Sequence, residues 1–92
     1  MTKSELIEKI SVQMPQLSKR VAEAVVEELF GSMIDALKQG ERIEIRGFGS
    51  FEIRTRNAKM GRNPKTGDKV SIPQKKIPFF KAGKELRERV DS

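Results

Sequence analysis

Residues 54–76 are too polar to build a core, and this limits what the rest of the chain can fold into. The apolar side chains there are Ala58, Met60, Val70 and Ile72, with Pro64 and Pro73. The centre, Gly61-Arg62-Asn63-Pro64-Lys65-Thr66-Gly67-Asp68, is dense in turn formers. Proline pre-sets φ, glycine takes positive φ, and Asn and Asp close local turns. Apolar sequence resumes at Ile77-Pro78-Phe79-Phe80. An excursion out of an apolar body and back is the expectation: two strands forming a long ribbon that projects from the body. The competing reading is a disordered, solvated linker. A ribbon with both faces in water is marginally stable, so it is expected to be mobile until a ligand holds it.

The body must come from about 1–53 and 77–92, within a single domain over residues 1–92. Thr2-Lys3-Ser4-Glu5 reads as a capping box. Leu6, Ile7 and Ile10 follow at helical spacing, so a first helix is expected over 3–13, ended near Pro15. Ser18 is the next N-cap, with Leu17 placed to staple against Ala22. A second helix is expected over 19–39, stopped by Gly40. Its apolar positions include Val21, Ala22, Val25, Val26, Leu29 and Phe30, then Met33, Ile34 and Leu37. They fill an arc of roughly 220°, wider than one packed face requires. In so short a chain the second side points to another subunit, because a core of this size is thin.

After Gly40 the period changes from 3.6 to 2. Arg42-Ile43-Glu44-Ile45-Arg46 alternates strictly, with the isoleucines expected inward and the charges outward. Gly47-Phe48-Gly49 turns the chain, and Phe51 and Ile53 continue a second strand with Glu52 and Arg54 opposite. Ile77, Phe79 and Phe80 should rejoin the core, and a short helix from Lys84 should bury Leu86 and Val90. The fold class is therefore α+β: helix–helix–β-hairpin body, long β-ribbon arm and short C-terminal helix.

Charge indicates the partner. The net charge is +6, but residues 1–40 sum to −1 and residues 41–92 to +7. Residues 54–81 carry Arg54, Arg56, Lys59, Arg62, Lys65, Lys69, Lys75, Lys76 and Lys81 against Asp68 alone. Such a block repels itself unless a polyanion neutralises it. Charge that merely keeps a loop soluble is the plainer alternative. There is no cysteine and no histidine, which removes thiolate sites and the commonest metal ligand and acid/base catalyst. A metal nuclease would need clustered carboxylates near the basic surface, where Asp68 is alone; no enzyme, metal, cofactor or small-molecule substrate is expected. No apolar run is long enough to span a membrane, and the second helix has a mildly acidic polar face, unsuited to an anionic membrane surface. The first residues lack a signal-peptide apolar core, so the expected location is the cytoplasm.

Three segments, Gly47-Phe48-Gly49-Ser50-Phe51, Gly61-Arg62-Asn63-Pro64-Lys65-Thr66-Gly67 and Gly83-Lys84-Glu85-Leu86, resemble the bacterial nucleoid family of HU and integration host factor. The resemblance covers essentially the whole chain. It implies an intertwined dimer whose two arms wrap double-stranded DNA through the minor groove and bend it, serving transcription, recombination and replication in the nucleoid. By position, Pro64 would wedge between base pairs, flanked by Arg62, Asn63 and Lys65. The segment Glu41-Arg42-Ile43-Glu44-Ile45-Arg46-Gly47-Phe48-Gly49-Ser50-Phe51 is similar to that of integration host factor beta subunits, and the resemblance implies that the positions of Arg42, Glu44 and Arg46 help to read a preferred site. A solvated strand face is the alternative for those three. If the beta likeness holds, the partner is a homologous alpha subunit; otherwise the chain forms an HU-type homodimer. The starts of the first and last helices, at Lys3 and Lys84, are candidate phosphate contacts or ordinary caps. Pro73 fits an edge or bulge, since it cannot donate a ladder hydrogen bond. A basic RNA-binding protein and a protein-interaction module are the more distant readings; the absence of Tyr and Trp disfavours an RNA-stacking sheet.

Overall fold

A computed structural model describes residues 1–91; the expected body also takes in residue 92, which lies outside them. Backbone contacts divide the chain into two compact units, Met1–Asp35 and a second beginning at Ala36.

The first unit is a helical pair, α1 (Lys3–Gln13) and most of α2 (Lys19–Lys38). The Thr2 hydroxyl accepts the Glu5 N–H at 3.1 Å and the Ser18 hydroxyl accepts the Val21 N–H at 3.2 Å. Each cap satisfies one of the amides that a helix start leaves orphaned. Pro15 follows directly on the α1 C-cap, Met14, whose N–H donates to the Ile10 carbonyl. The core here is small: Ile7, Ala22 and Val26 are buried, with Leu6 and Ile10 packed against them. Val25, Leu29, Phe30 and Ile34 remain exposed, the first three by 53%, 55% and 41%. Met33 and Leu37 are half-buried. Of the apolar positions expected on α2, Ala22 and Val26 are thus buried within the chain itself.

The second unit starts at the end of α2. Gly40 has φ of +80°, the Gly40 N–H donates to the Leu37 carbonyl, and the Glu41 N–H donates to the Ala36 carbonyl. This is a Schellman stop, in which glycine takes the left-handed position without steric cost. Strands β1 (Ile43–Ile45), β2 (Gly49–Arg56) and, later in the chain, a strand over Lys75–Ala82 form a three-stranded antiparallel sheet with β2 in the middle. Between β2 and that last strand lie β3 (Lys59–Arg62) and β4 (Lys69–Ile72), paired only with each other; Lys75–Ala82 is therefore β5. Helix α3 (Lys84–Asp91) closes the unit.

Three expectations need correction. The first concerns Ile45, which is 39% exposed and not inward. It ends a three-residue edge strand, with a neighbouring strand on one side only. The second concerns Phe79, which does not rejoin a core beside Phe80. Adjacent strand residues face opposite sides, so Phe80 meets Phe51 and Phe48 at ring-centroid distances of 4.6 and 5.3 Å. Phe79 lies on the charged face under Arg54, and both rings stay 37% exposed. The third concerns Val90, which is 77% exposed in the last turn of an eight-residue helix, while Leu86 is half-buried. Beyond Phe51, where β1 ends, β2 and β5 run on as a two-stranded ribbon to Arg56–Lys75, and a second paired stretch begins at Lys59. The break falls at Asn57-Ala58 opposite Pro73-Gln74, where proline removes a ladder donor.

Candidate nucleic-acid interface

The ribbon is held by its backbone rather than by a core. β3 and β4 pair Lys59 with Ile72, Met60 with Ser71, Gly61 with Val70 and Arg62 with Lys69. A side chain at Gly61 would stand 2.7 Å from the Ile72 methyl, so glycine lets Ile72 lie across the ribbon. Met60, Val70 and most other ribbon residues are exposed. Arg62 lies directly opposite Lys69, and Arg56 opposite Lys75. Like charges in cross-strand register are destabilising. A fold that keeps two such pairs gains from an anion laid over them.

The tip is built from side-chain-to-backbone bonds. The Asn63 carboxamide oxygen accepts the Lys65 N–H at 2.9 Å, and the Thr66 hydroxyl accepts the Asp68 N–H at 3.3 Å. The Gly67 N–H donates to the Asn63 carbonyl and the Asn63 N–H to the Asp68 carbonyl. Gly67 sits at φ +75°. These bonds fix the turn while leaving Pro64 exposed at its outer edge.

A second basic surface lies on the body sheet. Period-2 alternation puts Glu44, Ser50 and Lys81 in one cross-strand row. An open cleft of about 450 Å³ is lined by Arg42, Glu44, Arg46, Lys81, Lys84 and Arg87. The turn entering β2 shapes it. Gly47 has φ +86°, the Phe48 N–H donates to the Ile45 carbonyl at 3.0 Å, and the Gly83 N–H donates to the Phe48 carbonyl at 2.8 Å. That last bond fixes the start of α3 beside the turn. Arg87 was absent from the expected set. The signal lay in its spacing, since Lys84 and Arg87 at i,i+3 share a helix face.

The expected residues thus fall into groups. Lys59, Arg62, Asn63, Pro64, Lys65 and Lys69 lie on the ribbon; Arg54, Arg56, Lys75 and Lys76 on the sheet strands leading to it; Arg42, Glu44, Arg46, Lys81 and Lys84 around the cleft. Lys3 belongs to the first unit, where its ammonium meets the Glu27 carboxylate at 2.8 Å. That hydrogen bond, with the charge behind it, raises the Lys3 pKa above its ordinary value. Among the described residues there is no carboxylate cluster able to hold a metal, and no helix long and apolar enough to cross a membrane.

Comparison with known proteins agrees over the full length. The family model described as bacterial DNA-binding protein matches residues 1–91. An integration host factor subunit beta from Ralstonia nicotianae is 58% identical over 99% of this chain, which spans 66% of that protein. The corresponding subunit from Nitrosospira multiformis is 55% identical, with 99% and 97% covered. Among solved structures, Anabaena HU in a cocrystal with DNA superposes with a TM-score of 0.88 at 41% identity, covering 98% of this chain and 97% of that one. HU from Thermotoga maritima gives 0.68 at 28% identity, with 98% of each covered.

Proposed function

We propose that this chain, which belongs to the bacterial DNA-binding protein family, is one subunit of a dimer that binds double-stranded DNA through the minor groove and bends it. Members of this family are architectural DNA-binding proteins and not enzymes. The carrying observation is the ribbon: a paired, exposed excursion whose cations oppose one another across the strands. Phosphates laid against it relieve that repulsion and release condensed counterions, which drives binding. In this reading Pro64, apolar and exposed at the tip, enters an unstacked base step. Bending costs on the order of 1–10 kcal/mol, returned by the contacts that two arms and two sheet faces make along the wrapped duplex.

The exposed apolar side chains Val25 and Leu29 on one side of buried Val26, and Phe30 and Ile34 on the other, support the second subunit. Burying such side chains contributes about 1.5–3 kcal/mol each. Likeness to beta subunits supports a homologous alpha subunit as partner, with a homodimer as the alternative. In this reading the whole chain acts as one DNA-binding domain in the nucleoid, in transcription, recombination and replication.

The test is gel-shift titration on random, nicked and candidate-site duplexes, with duplex RNA as competitor and native mass measured alongside. Tight, salt-sensitive binding to DNA by a dimer is expected. A stable dimer indifferent to duplex at low salt would refute the proposal.

A further inference from the structure

The cations on the body sheet are not equivalent. Arg46, Lys81 and Arg87 carry no ion pair among the described residues. Arg42 and Arg54 are both tied to one acid. Glu52 sits on the middle strand of the sheet. Its two oxygens serve different arginines: Oε1 receives Nε of Arg54 at 3.2 Å, and Oε2 lies 3.6 Å from an Arg42 guanidinium nitrogen. The Ser50 hydroxyl accepts a further bond from Arg42 at 3.4 Å. The Arg54 guanidinium carbon also lies over the Phe79 ring, 3.5 Å from its centroid. Phe79 is the direct cross-strand partner of Glu52, so ring and carboxylate hold Arg54 from adjacent strands.

We infer that Glu52 is a specificity-determining residue that withholds Arg42 and Arg54 from non-specific phosphate binding. The inference rests on the DNA-binding reading above. The condensed counterions belong to the duplex and leave when a cation neutralises a phosphate. When that cation is an arginine drawn away from Glu52, the bared carboxylate gathers salt cations in turn, and the entropic gain that drives non-specific association largely cancels. The unpaired Arg46, Lys81 and Arg87 keep that gain. A duplex therefore recruits Arg42 and Arg54 only where close contact with the sheet face offsets the broken Glu52 bonds. Random sequence is disfavoured relative to a site that fits.

The test is a mutant cycle with the full-length chain. Wild type, Glu52→Gln, the Arg42→Gln/Arg54→Gln pair and the triple variant are titrated against a fluorescein-labelled random duplex over a series of KCl concentrations. Urea midpoints confirm folding. Glu52→Gln should bind the random duplex roughly two- to tenfold more tightly. Its log–log salt slope should steepen by up to about 1.8 per subunit, about 0.9 for each released arginine. In the Arg42→Gln/Arg54→Gln background the same change should leave the slope where it was. An effect that persists there marks a general loss of negative charge and overturns the assignment. Weaker binding by Glu52→Gln, or an unchanged slope, overturns it too. A wild type that ignores the duplex at low salt removes the DNA-binding reading and this inference together; failure of the cycle alone removes only the role of Glu52.

Discussion

Replacing Gly49 with alanine tests how tightly the turn, β2 and β5 are locked together. Gly49 pairs with Ile45 on one side and Ala82 on the other. A Cβ there would stand 2.5 Å from the Lys81 carbonyl oxygen, and 2.7 and 2.8 Å from two carbons of the Phe80 ring. Carbon–oxygen contacts in sheets settle near 3.3 Å, so β5 must recede by about 0.8 Å or twist away. Swinging the ring aside is no free alternative, because Phe51 and Phe48 pack on it at 4.6 and 5.3 Å. Overpacking of this kind costs about 1–3 kcal/mol, and disturbing the aromatic pairs adds about 0.5–1.5 kcal/mol. Relief of glycine's backbone entropy returns about 0.5–1 kcal/mol. The net expectation is about 2 kcal/mol of destabilisation, or a fall in Tm of about 8–16 °C. The measurement is thermal unfolding followed by circular dichroism, at one fixed protein concentration because subunit association shifts Tm. The control is Gly31→Ala, whose Cβ meets nothing within 4 Å in α2; it should stabilise by about 0.5–1 kcal/mol through helix propensity. A Gly49→Ala protein melting with the wild type would refute the packing argument.

Other perturbations address the ribbon and the helix face. Pro64→Ala should reduce the bend angle, read by FRET between the ends of a duplex, more than it reduces affinity; an unchanged angle would refute the wedge. Gly67→Ala forces a non-glycine residue to φ +75°, at a cost of about 1–2 kcal/mol. It should speed proteolysis within the tip while leaving the Tm of the body in place. Val25→Lys with Leu29→Lys puts two charges among the exposed apolar side chains of α2. Native mass should fall from a dimer toward the 10.4 kDa chain, and a retained dimer would place the interface elsewhere.

The helices were legible because their signals are local. Thr2, Ser18 and Gly40 act through bonds to residues within five positions, and composition alone exposes the polar excursion of the ribbon. Pro73 even marked where pairing would fail. The misses are non-local. Nothing in the alternation of Ile43 and Ile45 says that β1 is an edge strand with one neighbour, and edge position decided the exposure of Ile45. Phe79-Phe80 read as a joint return to the core because both are apolar; strand geometry splits them, and the Arg54 guanidinium makes the charged face tolerable for Phe79. Arg87 was missed because it joins the cleft through α3, whose placement depends on the bond from Gly83 to Phe48, far away in sequence.

The most direct measurement is the salt dependence of duplex binding for wild type against a variant with Lys59, Arg62, Lys65 and Lys69 all changed to Gln. If both ribbons lie along the DNA backbone, the log–log slope should become shallower by about 0.9 for every phosphate contact removed, up to about 7 for a dimer. Equal slopes for the two proteins would mean that the ribbon does not meet the phosphates, and the account would fail.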